Sequence, residues 1–457
     1  MSSRPAGSDA PAWMTALSPG AWIIAIVAAL STFAVAVVPD ERSDADATMW
    51  ASAKPHFVIY DPIVKRWNDE PGAFRVKLEL LSRQVLDRRM VGGFLGGVPV
   101  SDVLEVERAT ACLAFAGPLD AVGFLDLTDR LEADGLLGRI NPPSLTPWTY
   151  QGRVFGIPHD VHPVMLGYRA DLVEAAGISL DGVETWDDLF ARLRPLQHDG
   201  DGDGIPDRYV LSLWDTSSDM IEAMILQSGG GNFLPDGTLA IDREENATAV
   251  AEIVSWMVGH DRVATDVPDF NPRGNVQKLR GDAVCYLFPD WMCDIWKEQL
   301  PQLSGSMRLM PLPAWEPGGR RTSVWGGSMI GINREADNHD ELWEFAKRLY
   351  ATDEVSREMY REGDIIPPFT ALWDDPIFDE PDSYFGGQPK GRMYIELAAQ
   401  VPPRPASPYY THARAAVQSA VSRLREWAEV NRAYSADALL LRPRRVPAAA
   451  RRPRCTH

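Results

Sequence analysis

"YQGRVFGIPHDVHPVMLGYRADLVEAAGI", residues 150–178, is the stretch on which the fold turns. It reads as strand, strand, then a helix closed by Gly177, because glycine readily takes the left-handed turn that ends a helix. Outward from it the same alternation continues on both sides. Upstream, "FRVKLELLS" and "VSDVLEVE" are strands, and "LDLTDRLEADGLL" is helical after a short extended start. Downstream, "TWDDLFARLRPL" is a helix with Thr185 as its N-cap and acids in its first turn, both favourable where backbone N–H groups are unpaired. "RYVLSLW" is a strand, "ENATAVAEIVSWMVGH" a helix, and "GDAVCYLFPDWMCDIWKEQL" runs strand, turn, helix. "SVWGGSMIGINRE" is a strand weakened by two glycines. Two amphipathic helices follow in "NHDELWEFAKRLYATDEVSREMYREG", and "HARAAVQSAVSRLREWAEVN" is the last clear helix. Short apolar β-rich runs alternating with amphipathic helices specify an α/β fold.

The 457 residues allow two or three domains and a large core. A net charge of -19 makes nucleic acid and anionic membrane surfaces poor partners. The charge is unevenly spread. The tail "RPRRVPAAARRPRCTH" after Leu441 holds six arginines and no acid, which leaves about -25 on the rest. The tail has no apolar periodicity and reads as disordered. Cys112, Cys285, Cys293 and Cys455 show no metal-ligand spacing. Cys285 and Cys293 read either as a pair in an exported chain or as two buried thiols.

"AWIIAIVAALSTFAVAVV", residues 21–38, is uncharged and apolar over about the length a bilayer crossing needs. It exceeds the usual apolar part of a cleaved signal. A signal anchor is therefore the favoured reading over a removed signal peptide, with the bulk of the chain outside the cytoplasmic membrane.

"HDGDGDGIPD", residues 198–207, holds most of a calcium loop. Asp199, Asp201 and Asp203 stand at positions 1, 3 and 5, a glycine at 6, the Ile205 carbonyl at 7 and Asp207 at 9. Position 12, where a bidentate glutamate belongs, is Val210. The loop is read as a structural Ca2+ site or as a solvated turn, and no organic cofactor is expected. Common enzyme motifs fail: there is no phosphate-binding loop and no H-E-x-x-H, and "GGSMIG" at 326–331 misses the nucleophile-elbow spacing by one residue. "GGFLGG" at 92–97 lacks a dinucleotide fingerprint. "HDVH" at 159–162 could offer two metal ligands, but that spacing need not converge in a strand.

Tryptophan is more telling. Trp214, Trp291 and Trp325 stand where strands give way to loops. Flat aromatic faces stack on the apolar faces of sugar rings, and ligands of open α/β sheets lie beyond the strands' carboxyl ends. Each ring taken alone is as well explained by core packing.

The order of these motifs resembles the extracellular solute-binding proteins of ABC importers, in the branch that binds maltose, other oligosaccharides and glycerol phosphates. "YQGRVFGIPHDVHPVMLGYRADLVEAAGI" with Pro158 and Tyr168, "ETWDDLFARLRPL", the acidic loop, "GDAVCYLFPDW", "WGGSMIGINRE" and "EGDIIPP" follow in that family's order, over roughly residues 56–430. The resemblance implies a two-lobed periplasmic-binding-protein-like α/β fold of class II, with discontinuous lobes and a hinge. The expected division is a cytoplasmic N-terminus 1–20, a transmembrane helix 21–38, a linker 39–54, lobe 1 from 55–160 and 327–375, lobe 2 from 161–326 and 376–435, and a basic tail 436–457. It implies Trp291 as a ring-stacking residue, Tyr410 as an aromatic packed on the ligand and His162 as a polar contact near the lobe crossing. Trp325, Trp214 and Glu107 are added from their strand-end positions. The expected function is capture of a carbohydrate by lobe closure and delivery to ABC permease subunits, by a monomer that is no enzyme. A carbohydrate-active hydrolase and a sensory domain uncoupled from transport are the competing readings. Arg169 stands where the family commonly has asparagine, which leaves the ligand open.

Overall fold

Two five-stranded sheets organise the described residues. The computed structural model describes residues 45–441 together with Trp22. The run 21–38, Trp22 apart, and the arginine-rich tail lie outside the described residues. Among the described residues no helix is long and apolar enough to cross a membrane.

The first sheet contains β1 (Ala47–Ala51), β2 (Val76–Leu80), β3 (Val103–Glu107), β4 (Ile157–Pro158) and, much later in the chain, β10 (Ser328–Ile332). Its order is β2-β1-β3-β10-β4. The first three strands run parallel, whereas β10 is antiparallel to both β3 and β4. Both faces are covered, so β1 is apolar on both sides: Met49 packs in one core beneath helix α1 (Lys54–Asn68), and Trp50 in another with Leu104 and Phe115. Residues 47–51 were expected within the linker, and the structure corrects this. Five residues with polar neighbours carry no periodic signal, and only pairing with β2 and β3 makes them a strand.

The second sheet contains β5 (Val164–Arg169), β6 (Tyr209–Ser212), β7 (Ala264–Thr265), β8 (Ala283–Pro289) and β9 (Met307–Pro311), in the order β9-β5-β8-β6-β7. Strand β8 is buried at all seven positions between antiparallel β5 and parallel β6, which explains its unbroken apolar run. Helix α3 (Trp186–Leu193) carries the expected cap: Thr185 Oγ1 accepts from Asp188 N at 3.2 Å, and the Asp188 carboxylate accepts from Thr185 N at 3.0 Å.

The chain passes from the first sheet to the second between β4 and β5, and back between β9 and β10. Helices α7 (His339–Tyr350) and α8 (Asp353–Gly363) then pack on the first lobe. Helix α9 (Tyr410–Asn431) spans both lobes. Its Tyr410 and Ala413 belong to a core of the first lobe, while Val421 and Ala428 belong to that of the second.

Candidate functional site

The ends of the parallel strands open onto a cleft of about 360 Å³ between the lobes. From the first lobe come His56, just after β1, and Glu107 and Arg108 at the end of β3. From the second come Trp291, just after β8, and Asp219 at the start of α4 (Ser218–Gln227). Trp325, Gly326 and Gly327 line it on the chain's way back.

One wall is aromatic. Trp291 is half-buried, its indole donating to the Trp325 carbonyl at 2.9 Å, with the Trp325 ring edge-on at 5.8 Å. Phe270 lies parallel to Trp291, with ring centres 6.0 Å apart. Phe270 is 55% exposed and takes a φ of 55°. A large apolar residue held in the left-handed region and facing water is costly, and such strain collects at ligand sites. Gly326 permits the wall: with a φ of 109°, a Cβ there would lie 2.7 Å from the His162 ring and 2.9 Å from the Trp291 nitrogen.

The rest of the lining carries charge. Glu107 pairs with Arg83 at 2.8 Å, and Asp219 pairs with Arg414. Burial in the cleft raises the pKa of both carboxyls despite these arginines, and burial also lifts that of Asp294 to about 6. Carboxyls and guanidinium groups beside aromatic faces suit a ligand with hydroxyls on its rim and carbon on its faces. Behind this rim a buried network joins the lobes. Glu222 on α4 accepts from Arg108 at 3.0 Å and from the Tyr410 hydroxyl at 2.7 Å, and the Arg108 guanidinium stacks 4.0 Å over the Tyr410 ring.

At the hinge, "HDVH" is not a strand. His162 has a φ of 55°, and its two ring nitrogens are taken by Asp160 at 2.9 Å and Asp290 at 2.6 Å. Asp160 also holds His159 at 2.9 Å. The segment therefore forms a hydrogen-bonded chain of acids and imidazoles.

Of the residues singled out from sequence, Trp291, Trp325, His162, Glu107 and Tyr410 line this one cleft. What they offer differs. Both ring nitrogens of His162 are engaged by Asp160 and Asp290, and one face of the buried Tyr410 ring is covered by Arg108. Trp214 is not in the lining; it packs against the second lobe's core. Sequence reading missed Phe270, Arg108, Asp219 and Arg404. A charge inside the proline-rich "PPRPASPYY" is the one local signal that could have marked Arg404.

The acidic loop lies apart from the cleft. Carboxylate oxygens of Asp199, Asp201 and Asp207 lie within 4.8 Å of one another, all exposed, and could hold a hard cation. Asp203 and Ile205 stand outside that group, with the Asp203 carboxylate accepting from Ile205 N at 2.8 Å. The loop's own backbone offsets much of the repulsion. Asp199 accepts from Gly204 N at 2.9 Å and Gly202 N at 2.7 Å, and these bonds lower its pKa. Cys112, Cys285 and Cys293 are buried free thiols.

Residues 50–355 match the family described as bacterial extracellular solute-binding protein. An arabinooligosaccharide-binding protein of Halalkalibacterium halodurans is 22% identical over 358 residues, covering 76% of this chain and 77% of that protein. A lactose-binding protein of Rhizobium radiobacter is 25% identical over 284 residues, covering 61% and 64%. The sugar-binding protein of Xanthomonas citri superposes with a TM-score of 0.68 at 17% identity, covering 86% of this chain and 94% of that one. The fold is thus the two-lobed one of these proteins, and the chain belongs to the family of bacterial extracellular solute-binding proteins.

Proposed function

We propose that this chain is the extracytoplasmic binding component of an ABC importer, capturing an oligosaccharide or related polyol between its lobes for a permease. The observation that carries the reading is the half-buried Trp291 ring, set beside Phe270 in a cleft that also holds carboxyls. The names of the relatives, arabinooligosaccharide- and lactose-binding, support the same class. Calorimetry with arabino-, galacto- and malto-oligosaccharides tests it. At least one sugar binds with better than millimolar affinity, and Trp291→Ala weakens it about tenfold, the loss of one aromatic stacking contact. A chain that binds no sugar overturns the reading.

In this reading the protein acts as a monomer, and residues 21–38 hold it at the outer face of the cytoplasmic membrane. The loop 199–207 takes Ca2+ as a brace of the second lobe, remote from the ligand. Calcium then raises the thermal midpoint while leaving sugar affinity unchanged. Chelation that abolishes both together would refute this separation of roles.

A further inference from the structure

Among the described residues, Arg404 is the one arginine of the cleft lining without a carboxylate partner. Arg108 holds Glu222 at 3.0 Å and Arg414 holds Asp219, whereas no acid lies within salt-bridge distance of Arg404 among the described residues. The residue is only 7% exposed. Nη1 donates to the Gly326 carbonyl. Nε and Nη2 have no partner among the described residues, and these two atoms form the side-on fork that matches a carboxylate. Gly327 makes room for the fork, since a Cβ there would stand 2.9 Å from Nη2. Asp160 is not within salt-bridge distance of Arg404, and its Oδ2 accepts from both hinge histidines and from Ser328 N at 3.2 Å.

We propose that the ligand is an acidic sugar, a hexuronate-containing saccharide whose carboxylate sits on Nε and Nη2 of Arg404. The proposal rests on the carbohydrate reading and narrows it. Hydroxyl groups would also accept from this fork, but they bring no charge. Lobe closure removes the last water from Arg404, and an uncompensated buried cation is strongly unfavourable. Burial and the neighbouring Arg108 charge depress the guanidinium pKa to about 10, outweighing the more distant pull of Glu222 and Asp160. One unpaired fork calls for one planar monoanion, which favours a carboxylate over a phosphate dianion.

The test is calorimetry on the full chain with matched pairs: trigalacturonate against galactotriose, and glucuronate-substituted xylobiose against xylotriose, with glucose 6-phosphate as a separate arm. At least one uronate is expected to bind ten or more times more tightly than its neutral match, with an advantage that shrinks as salt rises. R404Q collapses that ratio, and R404K, which keeps the charge without the fork, retains part of it. Thermal unfolding checks that each variant folds; should R404Q not fold, the wild-type ratio and R404K decide. Neutral sugars bound as tightly as uronates overturn the proposal and leave the carbohydrate reading standing, as does a ratio unchanged by substitution. Tighter binding of the sugar phosphate overturns the carboxylate assignment. Failure of every sugar, charged or neutral, overturns the carbohydrate reading as well.

Discussion

Asp290→Ala is expected to lower the unfolding free energy by roughly 3–5 kcal/mol, the cost of breaking a buried ion pair by removing one partner. Asp290 is fully buried at the end of β8. Its Oδ1 accepts from His162 Nδ1 at 2.6 Å and from Trp291 N at 2.9 Å, and its Oδ2 from Ile366 N at 2.8 Å. Three segments distant in sequence thus meet on one carboxylate: the first crossing between lobes, the strand that carries Trp291, and the turn after α8. Alanine leaves two buried amides without an acceptor and His162 with Asp160 alone. Water has little access to replace them. Asp290→Asn keeps the shape and loses the charge, so its loss should be smaller. Urea denaturation followed by tryptophan fluorescence measures both. A loss below about 1 kcal/mol for alanine would mean that the hinge does not depend on this charge. Because Trp291 hangs from the same carboxylate, sugar affinity in Asp290→Ala should fall along with stability.

The parts of this fold that could be read from sequence are those encoded over a few neighbouring residues. Strand β8 is an uninterrupted apolar run because both of its faces are buried. Thr185 with Asp188 three residues on is a local capping pattern, and the structure contains it. Strand β1 was hidden because its partners lie 29 or more residues away. The site divides in the same way. Strand-end position led to Trp291 and Trp325, yet the same rule chose Trp214, whose ring packs on the second lobe's core. No periodicity marks Phe270, which is exposed and sits at a positive φ that the local sequence does not announce. The pairing of His162 with Asp290 spans 128 residues and is a product of tertiary structure alone. "HDVH" could be judged poor for a metal from its spacing, but the acid that answers its second histidine was invisible.

That same histidine makes stability depend on pH above neutrality. Burial alone would strip the proton from His162, but the carboxylates of Asp160 and Asp290 outweigh it and lift its pKa from 6.5 to about 10. A raised pKa adds stability that is fully present below the unfolded value near 6.5 and lost as pH rises through 10. Between pH 7 and 9 the unfolded chain has shed this proton while the folded chain keeps it. Stability should therefore fall by about 2.5 kcal/mol across that window, slightly under the limit of about 1.4 kcal/mol per pH unit for one proton. His56, raised by Glu105 against its own burial, adds to the fall in the same direction. From about pH 8 upward the buried thiols of Cys112, Cys285 and Cys293 add to the fall, because burial raises their pKa and only the unfolded chain ionises. Unfolding free energies at pH 7, 8 and 9, taken as the difference between wild type and His162→Gln, isolate the His162 contribution from those of His56 and the thiols. His162→Gln is less stable at pH 7 but should show a much flatter profile from 7 to 9. If the wild-type profile is already flat over that range, His162 is neutral in the folded protein, and Asp160 and Asp290 then confront one another across the hinge without a cation between them.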